Sequence, residues 1–269
     1  MKTTQEIKEL KDSAYKLFAQ EKEKESWTMI SEKENVNWTT EFIESNKSYL
    51  DWKALSFNNS LPWSVVFIKR HEDKWDWHAL SFIIADKQYF DRADFDLLLK
   101  RYKDKLDWKV ICQGTNLNSN HLTCYSEFIH WDTLSSNSHF TWSESFVNAH
   151  IDDLNWKIFT ECMVTVETPS LIQRLFRKKV LDLYANRLDF EIISENDSID
   201  FTPEIIEKYK KQWNWAKIIN NPAIEWDEVM LKRYDKYISD VSSEELRLSY
   251  MWTSLVEQDV EIELLLARF

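Results

Sequence analysis

Apolar and polar positions along this chain recur with a period near 25 residues. A small capping residue is followed by an aromatic, and three residues later by a bulky apolar side chain. The aromatics are Trp27, Trp52, Trp77, Trp108, Trp131, Trp156, Phe190 and Trp215, spaced by 25, 25, 31, 23, 25, 34 and 25 residues. A period in this range predicts a stack of one supersecondary unit. With the aromatic as position 0, position −1 is Ser26, Asp51, Asp76, Asp107, Asn155, Asp189 or Asn214, with His130 the exception. These side chains accept from the free N–H groups that open a helix. Position +3 is Ile30, Leu55, Leu80, Ile111, Leu134, Phe159, Ile193 or Ile218, on the same helical face as the aromatic.

The rest of the unit reads as a second helix. Position +6 is Asn58, Gly114, Asn137, Asn196 or Asn221. Glycine and asparagine tolerate the left-handed conformation, so these positions are expected to end the first helix after about two turns. A second aromatic stands at +11 (Trp38, Trp63, Trp142, Phe201, Trp226), followed at +12 by Thr39, Ser64, Ser143, Thr202 or Asp227 as further N-caps. Apolar pairs such as Phe42/Ile43, Phe67/Ile68, Phe146/Val147 and Ile205/Ile206 follow at +15 and +16. A leucine-rich strand-and-helix repeat has a similar period, but the capping residues at −1 favour helix. The expected fold is all-α: an α-solenoid of about eight helical hairpins of about 25 residues, starting near 26, 51, 76, 107, 130, 155, 189 and 214. Residues 1–25 are expected to cap the array as an amphipathic helix, the repeats to span 26–240, and 241–269 to form a C-terminal cap opened by Ser242 and Glu245 at capping-box spacing. Two units are longer. Extra residues fall in 83–94 of the third and in the second helix of the sixth, and insertions in an array usually map to a binding face.

The phrases LDWKALSFNNSLPWSVVFI and KWDWHALSF resemble tryptophan-rich "DW…LS.N…W" repeats of uncharacterised proteins of bacteria and large DNA viruses. The resemblance covers about residues 26–240 and is carried by a repeat rather than by a reaction. It implies no catalytic residue. Units three, four and six depart from the pattern.

Composition narrows the function classes. A single glycine, Gly114, disfavours phosphate-cradling loops and dinucleotide turns. The net charge of −12 disfavours direct nucleic-acid binding and suits a basic protein partner, or an acidic surface that mimics nucleic acid. Three cysteines without C-x-x-C spacing (Cys112, Cys124, Cys162) read as small buried hydrophobes of a reducing compartment. The start MKTTQEIKEL lacks the apolar core of a secretion signal, and no apolar run is long enough for a membrane span, so the expected location is the cytoplasm.

No catalytic set, metal cluster or cofactor motif is legible. The aspartates at −1 alternate with Asn155, Asn214 and Ser26, so hydrogen-bond acceptance rather than acid–base chemistry is what the position requires. Two features stand out as partner contacts. Position +1 makes a column that is basic in its middle through Lys53, His78, Lys109 and Lys157, with Lys217 beside it at +2. Arg174, Arg177, Lys178 and Lys179 make the densest basic patch. The resulting expectation is a non-catalytic scaffold that binds another protein. A sensor of a small anionic ligand or nucleotide along the basic column, and an acidic inhibitor or immunity protein that blocks a basic partner, are the alternatives. Oligomeric state is left open.

Overall fold

Each repeat aromatic opens a helix because the residue before it supplies the acceptor that the first turn lacks. In the computed structural model, which describes residues 22–165 and 179–257, every regular element is helical and no strand occurs among the described residues. The chain divides after Phe140 into two compact bodies. In the first, residues 22–31 are helical, followed by α1 (Thr40–Asn46), α2 (Trp52–Leu55), α3 (Val65–Arg70), α4 (Trp77–Ala85), α5 (Arg92–Tyr102), α6 (Trp108–Gln113), α7 (Ser119–Cys124), a 3₁₀ turn at Ser126–Phe128, and α8 (Trp131–Ser135). The second holds α9 (Glu144–Ala149), α10 (Trp156–Thr165), helical residues 179–184, α11 (Phe190–Glu195), α12 (Pro203–Lys208), α13 (Trp215–Ile218), α14 (Glu228–Ile238), α15 (Ser243–Arg247) and α16 (Tyr250–Glu257).

The caps act as expected. Asp51 Oδ1 accepts from the Lys53 and Ala54 amides at 3.0 and 3.1 Å, and Asp76, Asp107, Asp189 and Asn214 do the same for their helices. His130 conforms as well, its Nδ1 accepting from the Thr133 amide at 3.4 Å. Thr39, Ser64, Ser143, Thr202 and Asp227 cap the second helices, joined by Asp91 and Asn118 in the third and fourth units. The Ser242–Glu245 capping box is present. Ser26 is the exception. Residues 22–31 form one helix that runs across the expected boundary at 25/26, and Ser26 Oγ donates to the Lys22 carbonyl from its interior.

Within each body, first helices pack on first helices: α4 on α6, α6 on α8, α10 on α11, and α11 on α13. The +3 side chains form the spine of this contact, with Leu55, Leu80, Ile111, Leu134, Phe159 and Ile218 at 0% exposure. Burying each contributes roughly 1.5–3 kcal/mol.

Position +6 does not act as the sequence suggests. The left-handed ending does not form at Gly114, with φ −69° and ψ 165°, or at Asn196, with φ −81° and ψ 120°, both extended. The glycine serves close approach instead. A Cβ built on Gly114 would lie 2.6 Å from both Cβ and the carbonyl oxygen of Ala85, at the end of α4 in the preceding repeat. The backbone comes this near because the Thr115 and Asn116 amides both donate to the Ala85 carbonyl, at 3.0 and 3.3 Å.

Candidate functional site

The polar groups most likely to be taken for chemistry are used to join one repeat to the next. Three recurring connections do this. The first lies at +4, where Ser31, Ser56, Ser81, Thr160 and Ser194 donate to the carbonyl of their own position-0 residue at 2.6–2.7 Å. The same oxygens accept the backbone N–H of the next repeat's capping residue: Asp51, Asp76, Asp107, Asp189 and Asn214, at 2.9–3.2 Å. Cys112 takes this place in the fourth repeat, its Sγ accepting from the His130 amide at 3.4 Å. Burial raises its thiol pKa to about 11, so it stays protonated and unreactive. Cys162 is buried too, whereas Cys124 is exposed, contrary to expectation, because it lies on the outer side of α7.

The second connection is the +6 asparagine. Asn58 Nδ2 donates to the carbonyls of Ser31 and Lys33 at 2.9 and 3.1 Å. Asn137 bridges Cys112 and Gly114 at 2.7 and 3.1 Å, and Asn221 bridges Ser194 and Asn196 at 3.0 Å each. All three are 2–3% exposed, so they clamp the end of the preceding first helix inside the core. Where glycine replaces asparagine, Asn116 two residues on reaches the Ile84 and Phe90 carbonyls at 3.5 and 3.4 Å.

The third connection runs along the second helices. A ring near the end of each packs on the repeat aromatic: Trp52–His71, Trp77–Tyr102, Trp108–Tyr125, Trp156–Tyr184, Phe190–Tyr209 and Trp215–Tyr234, with centroids 4.6–5.7 Å apart. The polar tips of several of these rings reach an acceptor in the previous repeat. Tyr102 Oη donates to Glu72 at 2.9 Å, Tyr184 Oη to Asn148 at 3.0 Å and Tyr209 Oη to Asp182 at 2.8 Å. His121, on α7, meets Asp96 at 2.5 Å through Nε2 while Nδ1 accepts from the Asn118 amide, and His71 Nε2 stands 3.4 Å from Glu44. Sequence reasoning missed both the +4 hydroxyl and this ring. Ser, Thr or Cys at +4 in seven of eight units was the available signal.

Five of the repeat aromatics are therefore not open stacking platforms. Their second faces are covered from within: Tyr49 stacks on Trp27, Phe128 on Trp108 and Tyr237 on Trp215, while Lys74 and Lys105 lie over Trp52 and Trp77.

The +1 column is placed beside carboxylates. Thr28 Oγ1 donates to Asp51 at 3.0 Å, His78 Nδ1 meets Asp107 at 2.6 Å, and Glu191 accepts from Asn214 at 2.6 Å. Each pair joins +1 of one repeat to −1 of the next. Burial pushes the Asp107 carboxyl up, but the bonds from His78 and from the Val110 and Lys109 amides outweigh it and hold it below its usual value. Lys217 is drawn to Glu195 at 2.7 Å and Glu191 at 3.3 Å. Lys53, Lys109 and Lys157 are exposed and make no ion pair among the described residues. Of the second patch, Lys179 is exposed and helical, and Arg174, Arg177 and Lys178 lie outside the described residues.

Two further features lie outside these connections. Phe57 and Phe82, both at +5, are 51% and 49% exposed in consecutive repeats, Phe57 in the turn just after α2 and Phe82 within α4. Each stands one helical turn after a +1 side chain, Lys53 and His78, and His78 meets the Phe82 ring edge-on at 5.4 Å. The other is a cavity of about 430 Å³ between α10, residues 180–188, α11 and the start of α12. It sits in the sixth unit, where the sequence is longest, and is walled largely by aliphatic side chains. No group of His, Cys, Asp and Glu side chains able to hold a metal occurs among the described residues, and no described helix is long and apolar enough to cross a membrane. No family model, curated protein or solved structure matches the chain.

Proposed function

We propose that the protein is a non-catalytic helical-repeat scaffold, an α-solenoid of about eight 25-residue hairpins with terminal caps, whose first helices bind another protein. The repetition of the same three connections at the same offsets in each body supports the solenoid reading. The observation that carries the binding reading is the pair Phe57 and Phe82. Most repeat aromatics are buried or covered, yet these two rings are half-exposed at one register on neighbouring repeats. Large apolar side chains aligned in this way are the anchors from which interfaces draw most of their energy. Adjacent packed helices lie roughly 8–10 Å apart, which matches two apolar side chains three residues, about 9 Å, apart on one face of a polyproline II partner segment. Lys53 and His78 beside them favour acidic residues flanking that segment. The anion-sensor alternative draws less from the geometry, because carboxylates of Asp51, Asp107 and Glu191 thread the column.

The test is affinity capture from lysate of the native organism with the intact protein and with a Phe57→Ser/Phe82→Ser variant, whose stability should change by under about 0.5 kcal/mol per site. The reading expects one or more proteins retained by the first and lost from the second. Identical captures, or none in repeated trials, would sink it.

A further inference from the structure

The cavity carries a conclusion independent of the partner-binding face. Its deep wall is Met163, Val180, Leu188 and Ile193, all buried, with Leu181 and Ile205 half-buried toward the mouth. At about 430 Å³ it falls within the size range of small-molecule sites, roughly 300–1,000 Å³. Its rim is the loop from Asn196 to Asp200. Among the described lining residues the sole charge is the exposed Asp200 carboxylate, and none is Lys, Arg or His. The same loop carries the exposed Asp197, so the described entrance is acidic while the interior is aliphatic. The space arises from the local sequence. α10 runs on to Thr165, past the point where α2, α8 and α13 have ended, and Asn196 occupies the +6 position where the other elongated first helix, α4, is met by glycine. Asn196 itself lines the space, whose described walls are mainly apolar.

We propose that this cavity binds an amphiphile with an aliphatic body of about ten carbons and a single cationic head, the body among Met163, Leu188 and Ile193 and the head at Asp200. Among the described residues of the rim, an anionic head would meet only negative charge, and a neutral one would leave the carboxylate unused.

Decylamine, decanol and decanoate, titrated by calorimetry against the full chain, share one body and differ in the head. Decylamine should bind at one site and more tightly than the other two. Asp200→Asn, at an exposed position that leaves the fold intact, should weaken decylamine about fivefold and leave decanol unchanged. Ile199→Trp, which places a large ring at the half-buried mouth, should abolish binding of all three with the circular dichroism spectrum preserved. Equal affinity for the three probes, or decylamine binding insensitive to Asp200→Asn, overturns the assignment of the head. Absence of binding by every probe overturns the site.

Discussion

Two junctions between repeats begin with the same irregularity and end differently. α4 and α10 are both longer than the other first helices, reaching Ala85 and Thr165. Against α4 the next repeat brings Gly114, and the backbones close until a single added carbon would overlap Ala85. Against α10 the next repeat brings Asn196, and about 430 Å³ stays open. Both sites have a buried +3 residue and a capping aspartate tied to the preceding +4 hydroxyl. The residue at +6 therefore distinguishes the two junctions where the shared caps and +3 residues do not. A lengthened repeat is absorbed by backbone contact at one junction and borders an open space at the other, and the residue at +6 is a difference between them.

The largest expected effect is at the closed junction. Gly114→Ala should destabilise the first body by about 3 kcal/mol in urea unfolding, since the clash is with backbone as well as with a side chain. Ala85→Gly should recover part of that loss in the double variant, net of the roughly 1 kcal/mol that glycine costs inside a helix. Additive losses would show that Gly114 is not there to admit Ala85. The asparagine clamp comes next. Asn58→Ala removes two bonds to buried carbonyls and should cost about 2 kcal/mol. A loss below about 0.5 kcal/mol would mean that the clamp follows packing rather than drives it.

Overpacking tests the comparison itself. Ile111→Phe, in the closed junction, should cost roughly 1–3 kcal/mol because the surrounding core has no room. Ile193→Phe occupies the same repeat position beside the cavity and should cost nothing or stabilise slightly. Equal costs at the two sites would show that the open junction is as well filled as the closed one.

How far the sequence could carry these conclusions depended on the range of each interaction. N-caps are local, and each capping aspartate is read from its own neighbours. Even His130, which broke the residue pattern, kept the role. The +3 spine is periodic and so equally legible. The +4 serines were not, because a hydroxyl inside a short helix ordinarily bonds back to its own turn, and its second partner lies some twenty residues on. The asparagines at +6 were noticed for the wrong reason. A helix-ending residue and an inter-repeat clamp select the same side chain, and only the extended φ and ψ at Asn196 and Gly114 separate the two. The +1 lysines looked like a basic column because the capping carboxylates that thread it come from the following repeat. The longer sixth unit was legible as an insertion, but a cavity depends on what fails to fill space, which no pattern of residues states.

The smallest expected effect is a pH dependence centred on His71, where the ring ladder of the first body differs from its neighbours. His71 is 3% exposed, enclosed by Trp52, Phe67 and Trp75. Burial holds its pKa below the usual 6.5, and Arg70, Lys47 and Lys74 push the same way, while Glu44 at 3.4 Å opposes them. In the unfolded chain the ring takes up a proton near its ordinary value, whereas the folded protein resists it. The unfolded state thus binds more protons as the pH falls through about 6.5, and stability declines from there down to the lowered folded pKa, by at most about 1.4 kcal/mol per pH unit. Above that window the ring is neutral in both states and contributes no slope. Urea unfolding of the native protein and of His71→Phe between pH 5 and 8 isolates this contribution, since the two curves should diverge only on the acid side. Glu44→Gln removes the group that favours the charged ring and should steepen or extend the native decline. Parallel curves for native and His71→Phe would show that protonation of His71 is not coupled to folding, and that the aromatic enclosure admits the charged ring as readily as water does.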